Sequence, residues 1–277
     1  MPKTRGKDAA LFTVLLVLAV LFIAPILIVL MNSFKGKFFI SDTPFLFPDG
    51  QMFVGLKNYT DGVVKTGFFN AFGMSLFITV CSVAVIVLLT AMTAWYITRV
   101  KTGFTKLLYY IFVFSMIVPF QMVMFTMTKT ANVLHLDNPI GIIVIYLGFG
   151  AGLSVFLFSG FVKSIPLEIE EADLIDGCNP VQSFFLVVLP ILKPIAITVA
   201  ILNVMWVWND YLLPLLVIGT EYRTIPIAIQ YLKGGYGSID MGAMMAMLVL
   251  AILPIIIFYL VCQKYIIEGV VAGAVKG

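Results

Sequence analysis

Charge is scarce in this chain, and histidine and cysteine are scarcer. Only 11% of the 277 residues are Asp, Glu, Lys or Arg, against about a quarter in a soluble domain. So little charge cannot cover a water-facing surface of ordinary extent. Net charge is +3, from 17 basic and 14 acidic residues. The basic residues are scattered, which leaves no footprint for nucleic acid. His135 is the only histidine, so metal clusters of histidine and His-based catalytic triads lack their raw material. Cys81, Cys178 and Cys262 fall in or beside apolar runs and share no metal spacing. A disulfide framework is not expected. There is no G-x-x-x-x-G-K-[ST] phosphate loop, so the chain does not hydrolyse ATP itself. Nor is there a run of intramembrane carboxylates or histidines such as a proton-coupled pump needs. No repeat or low-complexity stretch stands out.

What fills the sequence is apolar residue, 61% by composition. Runs long enough to cross about 30 Å of hydrocarbon lie near residues 10–31, 71–93, 107–128, 139–162, 195–217 and 243–263. These describe one all-α integral membrane domain, a six-helix bundle over residues 1–277. The basic start MPKTRGK precedes an apolar run too long for a cleaved signal and without a small-x-small cleavage site. It reads as an uncleaved first span with Lys3, Arg5 and Lys7 inside. Arg99, Lys101 and Lys106 follow the second span, on the same side as the N-terminus, as the positive-inside rule requires. An even number of spans puts both termini inside, together with residues 163–194 and the tail 264–277. Pro25, Pro119, Pro214 and Pro254 interrupt spans; breaks are tolerated where neighbours or a water-filled path satisfy the freed backbone, but ordinary helix kinking is the reading preferred for each single proline.

The segment Ser164–Pro194 breaks the apolar pattern most sharply. Glu168, Glu170, Glu171, Asp173 and Asp176 crowd its first half. Pro166 suits a helix start, and the glutamates complement the positive end of the helix dipole. Gly177 can close that helix in a left-handed conformation. Asn179, Pro180 and Gln182 then form an N-cap, N1 and N3 set for a second helix. A folded two-helix handle on the inner side is expected. A merely solvated amphipathic loop is the alternative.

The handle's residues match a known pattern. Glu170-Glu171-Ala172-Asp173-Leu174-Ile175-Asp176-Gly177, continued to Leu189-Pro190, resembles the EAA loop of ABC importer permeases. The resemblance covers nearly the whole chain. Val54-Gly55-Leu56-Lys57-Asn58-Tyr59 looks like the family's GL-x-NY element, and Val118-Pro119-Phe120-Gln121 like its third-helix signature. Trp208-Asn209-Asp210-Tyr211-Leu212-Leu213-Pro214 resembles the W-N-[DE]-x3-P element of carbohydrate permeases. The tail Gln263–Gly277 is similar to that of the second permease subunit of maltose-type importers.

The resemblance implies the type I ABC importer permease fold and a role in ATP-driven carbohydrate import across a bacterial cell membrane. It implies four kinds of partner: a homologous permease, two ATP-binding subunits, an extracytoplasmic sugar-binding protein and membrane lipid. It implies no cofactor on this chain, because ATP and Mg belong to the ATPase subunits. Glu170, Glu171, Ala172, Asp173, Leu174, Asp176 and Gly177 would couple to the ATPase, with Gly273, Lys276 and Gly277 as tail contacts. Asp173 replaces the family's common second alanine and would add a charge at the docking surface.

A substrate path is the remaining expectation. Asp210 lies near the outer part of the fifth run, where a charge is costly unless it faces protein or water. Asn203, Trp206, Asp210 and Pro214 share one helical face, and aromatic rings beside carboxylate and amide groups suit sugars. Asn209 and Gln121 complete the candidate set. The competing reading is an interfacial aromatic belt with a helix contact through Asn203, which also explains the polar stripe Ser75, Thr79, Ser82 and Thr93. Two other functions stay open: a self-sufficient secondary sugar transporter, and a non-transporting scaffold whose handle recruits a cytoplasmic protein.

Overall fold

The computed structural model describes residues 4–232 and 239–274. In chain order the helices are α1 (Thr4–Asn32), α2 (Lys37–Asp42), α3 (Lys57–Thr66), α4 (Phe68–Arg99), α5 (Gly103–Ser115), α6 (Phe120–Val133) and α7 (Gly141–Val162). Then come α8 (Leu167–Ile175), α9 (Pro180–Ser183), a π-helical turn (Phe184–Val188) and α10 (Leu189–Ile191). The last are α11 (Lys193–Asn209), α12 (Leu212–Val217), α13 (Ile225–Gln230) and α14 (Met241–Ala274). Among the described residues, four helices are long and apolar enough to cross a membrane, or up to six if each of two bent pairs counts as one span.

Both bends have proline chemistry behind them. α5 and α6 meet at 108°. Pro119 caps α6 in an extended conformation, and its missing N–H cannot continue the α5 ladder. The apolar run 107–128 is therefore carried by two helices and not by one straight rod. The stretch Pro180–Ile191 meets α11 at 77°, with Pro190 and Pro194 on either side of the corner. Pro190 cannot donate to the carbonyl four residues back, and the turn just before it is π-helical.

The chain divides into two compact units. One comprises Met1–Phe69 and Ala228–Pro254. Within it α1 is apolar on every face and almost wholly exposed from Asp8 to Leu27; such a face belongs against lipid or another protein. The loop after α1 is tied down by Asn58. Its amide donates to the carbonyls of Ser33 and Lys35, both at 2.8 Å. The Tyr59 and Ser33 hydroxyls are 2.7 Å apart. Lys35 is fully buried and donates to the Thr43 carbonyl at 2.7 Å; burial pushes its pKa below the ordinary lysine value. At the start of α14, Asp240 pairs with Lys65 at 2.5 Å and caps Ala243.

The second unit comprises Asn70–Ile227 and Ile255–Gly277. Two apolar cores are found in it among the described residues. In one, Ala91, Ala94 and Ile97 of α4 pack with Val155, Phe158 and Val162 of α7 and with Phe184, Val188 and Leu192 of the handle's second half. In the other, Ile78 and Ile86 pack with Ile142, Ile145 and Tyr146 and with Val207, Leu213 and Val217. The first core supports the acidic segment, and the second supports the break between α11 and α12.

Candidate functional site

The acidic segment is folded by its local sequence. α8 starts one residue after Pro166 and carries Glu168 and Glu170 in its first turn. Gly177 takes φ +89°, the left-handed region, where a Cβ would be strained. Asn179 accepts from the N–H groups of Val181 and Gln182, both at 3.0 Å, and Gln182 reaches back to the Asn179 N–H. The second helix therefore begins with the capping box that its residues imply.

α8 is charged on its inner side. Glu170 is 7% exposed. Its Oε1 accepts from Arg99 Nε at 2.9 Å and Nη2 at 2.6 Å, and its Oε2 from the Trp95 indole at 2.9 Å. Arg99 Nη2 also donates to the Ile165 carbonyl at 3.0 Å. One arginine thus holds both the first turn of α8 and the chain leading into it to the end of α4. Glu170 is an internal tether and does not present its carboxylate outward. Asp173, one turn on, is also buried at 7%, so in the isolated chain it does not add charge to an outer surface. Its carboxylate accepts a hydrogen bond from the Cys178 thiol, which, with burial as a lesser cause, pushes that thiol up. Its Oδ2 has no partner.

The outer side of the segment mixes acid with oil. Glu171, Ala172, Asp176 and Gly177 are exposed. Ile175 is 86% exposed, and Leu167 and Val181 are at least half exposed. A solvated loop has no reason to turn its isoleucine out and its glutamate in. Leu174 occupies α8 between Asp173 and Ile175. Of the tail residues, Gly273 lies on the backbone of α14, whereas Lys276 and Gly277 lie outside the described residues.

The substrate-path residues do not form one group. Asn203 is buried between α11 and α7, its amide donating to Val199 O at 2.8 Å and Ser154 Oγ at 3.3 Å, which makes it a helix contact. Asn209 is exposed and donates to Met205 O of its own helix. Gln121 is exposed in the first turn of α6. Asp210 is the exception. It is extended at the end of α11, and Oδ1 accepts from the N–H groups of Leu212 and Leu213 at 3.1 and 3.4 Å. Its Oδ2 accepts from the Tyr146 hydroxyl at 3.2 Å. The Tyr146 ring meets Trp206 edge-on, with centroids 5.4 Å apart. The carboxylate thus caps α12 where Pro214 leaves the helix ladder open. Tyr146 was hidden in the sequence by its apolar surroundings; the signal was a tyrosine inside a membrane-length helix, whose buried hydroxyl needs a partner.

Residues 98–271 match the family model of the binding-protein-dependent transport system inner membrane component. The chain belongs to this family. Among curated relatives, it is 40% identical over 262 residues to the probable starch degradation products transport system permease protein AmyC of Thermoanaerobacterium thermosulfurigenes, covering 94% of each chain. It is 33% identical over 270 residues to the multiple sugar-binding transport system permease protein MsmG of Streptococcus mutans, covering 96% of each. It is 28% identical over 285 residues to the melibiose/raffinose/stachyose import permease protein MelC of Bacillus subtilis, over the full length of both. A chain of a bacterial ABC transporter involved in import of the acidic polysaccharide alginate superposes with a TM-score of 0.79 at 21% identity, over 96% of this chain and 98% of that one. The fold is that of an ABC importer permease, and family membership makes the chain a multi-pass transport component and not a catalyst.

Proposed function

We propose that this chain is the membrane-spanning permease subunit of an ATP-driven importer for oligosaccharides, coupled to its ATPase through α8 and the turn at Gly177. The observation that carries the coupling is the inverted polarity of α8. Glu170 is anchored inward by Arg99 and Trp95, while Ile175, Glu171 and Asp176 face outward. A rigid tether on one side and an exposed mixed surface on the other is what a force-transmitting handle requires. A handle transmits only if its partner contacts it differently in two states. ATP and Mg would reside on that partner.

Starch products, multiple sugars and raffinose-type sugars appear in the relatives' names, which supports oligosaccharide as the substrate class. The fuller assembly would comprise a homologous permease, two ATPase subunits and an extracytoplasmic sugar-binding protein, with both termini of this chain in the cytoplasm. The test is reconstitution of that assembly in vesicles with labelled starch-derived and α-galactoside oligosaccharides. ATP-dependent uptake that requires the binding protein and falls at least tenfold in Glu171→Ala is expected. Uptake by this chain alone under an ion gradient would assign it to secondary transport. Docking of the ATPase with no substrate-dependent stimulation would assign it a scaffold role.

A further inference from the structure

We propose that a cleft at one end of α4, α5 and α7 binds the phosphate of an anionic phospholipid. The cleft holds about 460 Å³, and Lys101, Lys106 and Lys163 line it. None of the three has a carboxylate within ion-pair distance among the described residues. Lys163 stands over the Tyr109 ring, 5.4 Å from its centre, and Tyr109 lines the same cleft. Three unneutralised cations around one concavity make a site for an anion.

Two further observations give the site a polar floor. Ser159 lines the cleft, is 1% exposed, and its hydroxyl has no partner among the described residues. The Thr98 hydroxyl, also in the lining, is buried and likewise without a partner among those residues. A buried hydroxyl left unpaired is uncommon, and a phosphate oxygen entering the cleft would satisfy it. Gly103, the first residue of α5, lies in the same wall, so the positive end of a thirteen-residue helix adds to the lysines.

The occupant is read from what continues beyond the cleft. Phe104, Leu107, Ile111 and Phe114 are all exposed and fall at spacings of 3, 4 and 3, one stripe along α5. A soluble phosphate or an acidic peptide has no use for that stripe. A lipid headgroup in the cleft would lay its acyl chains along it. Basic pockets at the cytoplasmic membrane surface are where anionic headgroups bind. That depth rests on the orientation given under Proposed function. Lys163 also lies four residues before α8, so an occupied cleft would stiffen the root of the handle.

The experiment is a native mass spectrometry titration of the delipidated, assembled transporter with phosphatidylglycerol, phosphatidylcholine or inorganic phosphate. Phosphatidylglycerol should be retained preferentially. Lys101→Gln/Lys106→Gln/Lys163→Gln should weaken its retention by about fivefold per lysine, and the matching triple arginine variant should keep it. Ser159→Ala should weaken it without altering thermal stability. Equal retention of both lipids, or no loss in the glutamine variant, overturns the proposal. Retention of inorganic phosphate in competition with phosphatidylglycerol overturns it in favour of a soluble anion. Binding that appears only after the ATPase subunits are stripped overturns it in favour of a protein contact. Lipid retention is read independently of uptake, so this result and the transport assignment fail separately.

Discussion

Arg99 and Glu170 lie 71 residues apart in the sequence, yet Arg99 Nη2 sits 2.6 Å from Glu170 Oε1. The pair is largely buried, and it joins the end of a membrane-length helix to the first turn of the handle. Breaking a buried pair leaves an unpaired charge and costs about 3–5 kcal/mol. Glu170→Ala and Arg99→Ala should each lower the thermal stability of the assembled protein by an amount of that order. Trp95→Phe removes one hydrogen bond to a charged acceptor and should cost about 1.5–3 kcal/mol. Thermal melts of the purified complex check the ranking. An unaltered melt for Glu170→Ala would remove the tether from the account.

The outer face should behave in the opposite way. Ile175→Asp and Glu171→Ala touch no buried contact, and surface changes of this kind stay within about 0.5 kcal/mol. They should leave the melt unchanged and cut ATP-dependent uptake at least tenfold. Gly177→Ala adds backbone strain at φ +89°, about 1–2 kcal/mol for a non-glycine residue, and should lower both stability and uptake. A variant at Ile175 that transports normally in a correctly assembled complex would show that the exposed face is not the docking surface.

The contrast between these two sets shows what sequence conveys and what it does not. The capping box of Asn179 and Gln182, the left-handed Gly177 and the break at Pro119 are local chemistry, set by residues within a few positions of one another. The cap and the glycine turn are legible in the sequence outright, whereas Pro119 announces only a kink in one span, 107–128, and not the 108° break between two helices. Sequence alone also groups Glu170 and Asp173 with the candidate docking acids, because five acids within nine residues look alike. Only the fold brings Arg99 and Trp95 to Glu170, across more than seventy residues. Tyr146 was missed for the same reason, since its partner Asp210 is 64 residues away.

At the break between α11 and α12, capping and charge can be separated. Asp210→Asn keeps an oxygen for the Leu212 and Leu213 N–H groups and should cost less than about 1 kcal/mol. Asp210→Ala removes the cap and should cost about 0.5–2 kcal/mol, plus what the unpartnered Tyr146 hydroxyl loses. Tyr146→Phe should cost about 1 kcal/mol. If Asp210 is a cap alone, the asparagine variant imports sugar with an unchanged KM. A raised KM at unchanged stability would make it a sugar ligand as well.

Lys65 and Asp240 give a pH dependence outside the membrane. Burial pushes the Asp240 carboxyl up, but the hydrogen bonds from Lys65 and Ala243 and the nearby lysine charges outweigh it, so its pKa lies below the ordinary value. Its contribution is therefore present above the usual carboxylate pKa, about 3.9, and is lost as pH falls through the depressed value. For Lys65, the hydrogen bond to Asp240 outweighs desolvation and raises the pKa. That contribution is present below the usual lysine pKa, about 10.4, and is lost as pH rises past the elevated one. Because Lys65 is half exposed, solvent screening holds the pair to about 1 kcal/mol or less. Asp240→Asn preserves the cap on Ala243 and should melt slightly earlier than the wild type at neutral pH. The difference should shrink in about 1 M salt and vanish in strong acid. A salt-insensitive difference would mean that the Lys65–Asp240 charge pair does not carry the effect.

Gly242 offers a test of the loop clamp that leaves every charge in place. A Cβ at this position would lie 2.4 Å from Asn58 Oδ1 and 2.8 Å from its Cγ. Asn58 cannot withdraw freely, because its amide holds the Ser33 and Lys35 carbonyls at once. Gly242→Ala must therefore displace the clamp, and overpacking of this kind costs about 1–3 kcal/mol. Asn58→Ala removes the clamp and leaves two carbonyls short of a donor, at a similar cost. Combining them relieves the clash, since no amide remains to collide with. The double variant should be no less stable than Asn58→Ala alone, so the two costs will not add. Fully additive losses in the melts would show that Gly242 is constrained by something other than Asn58.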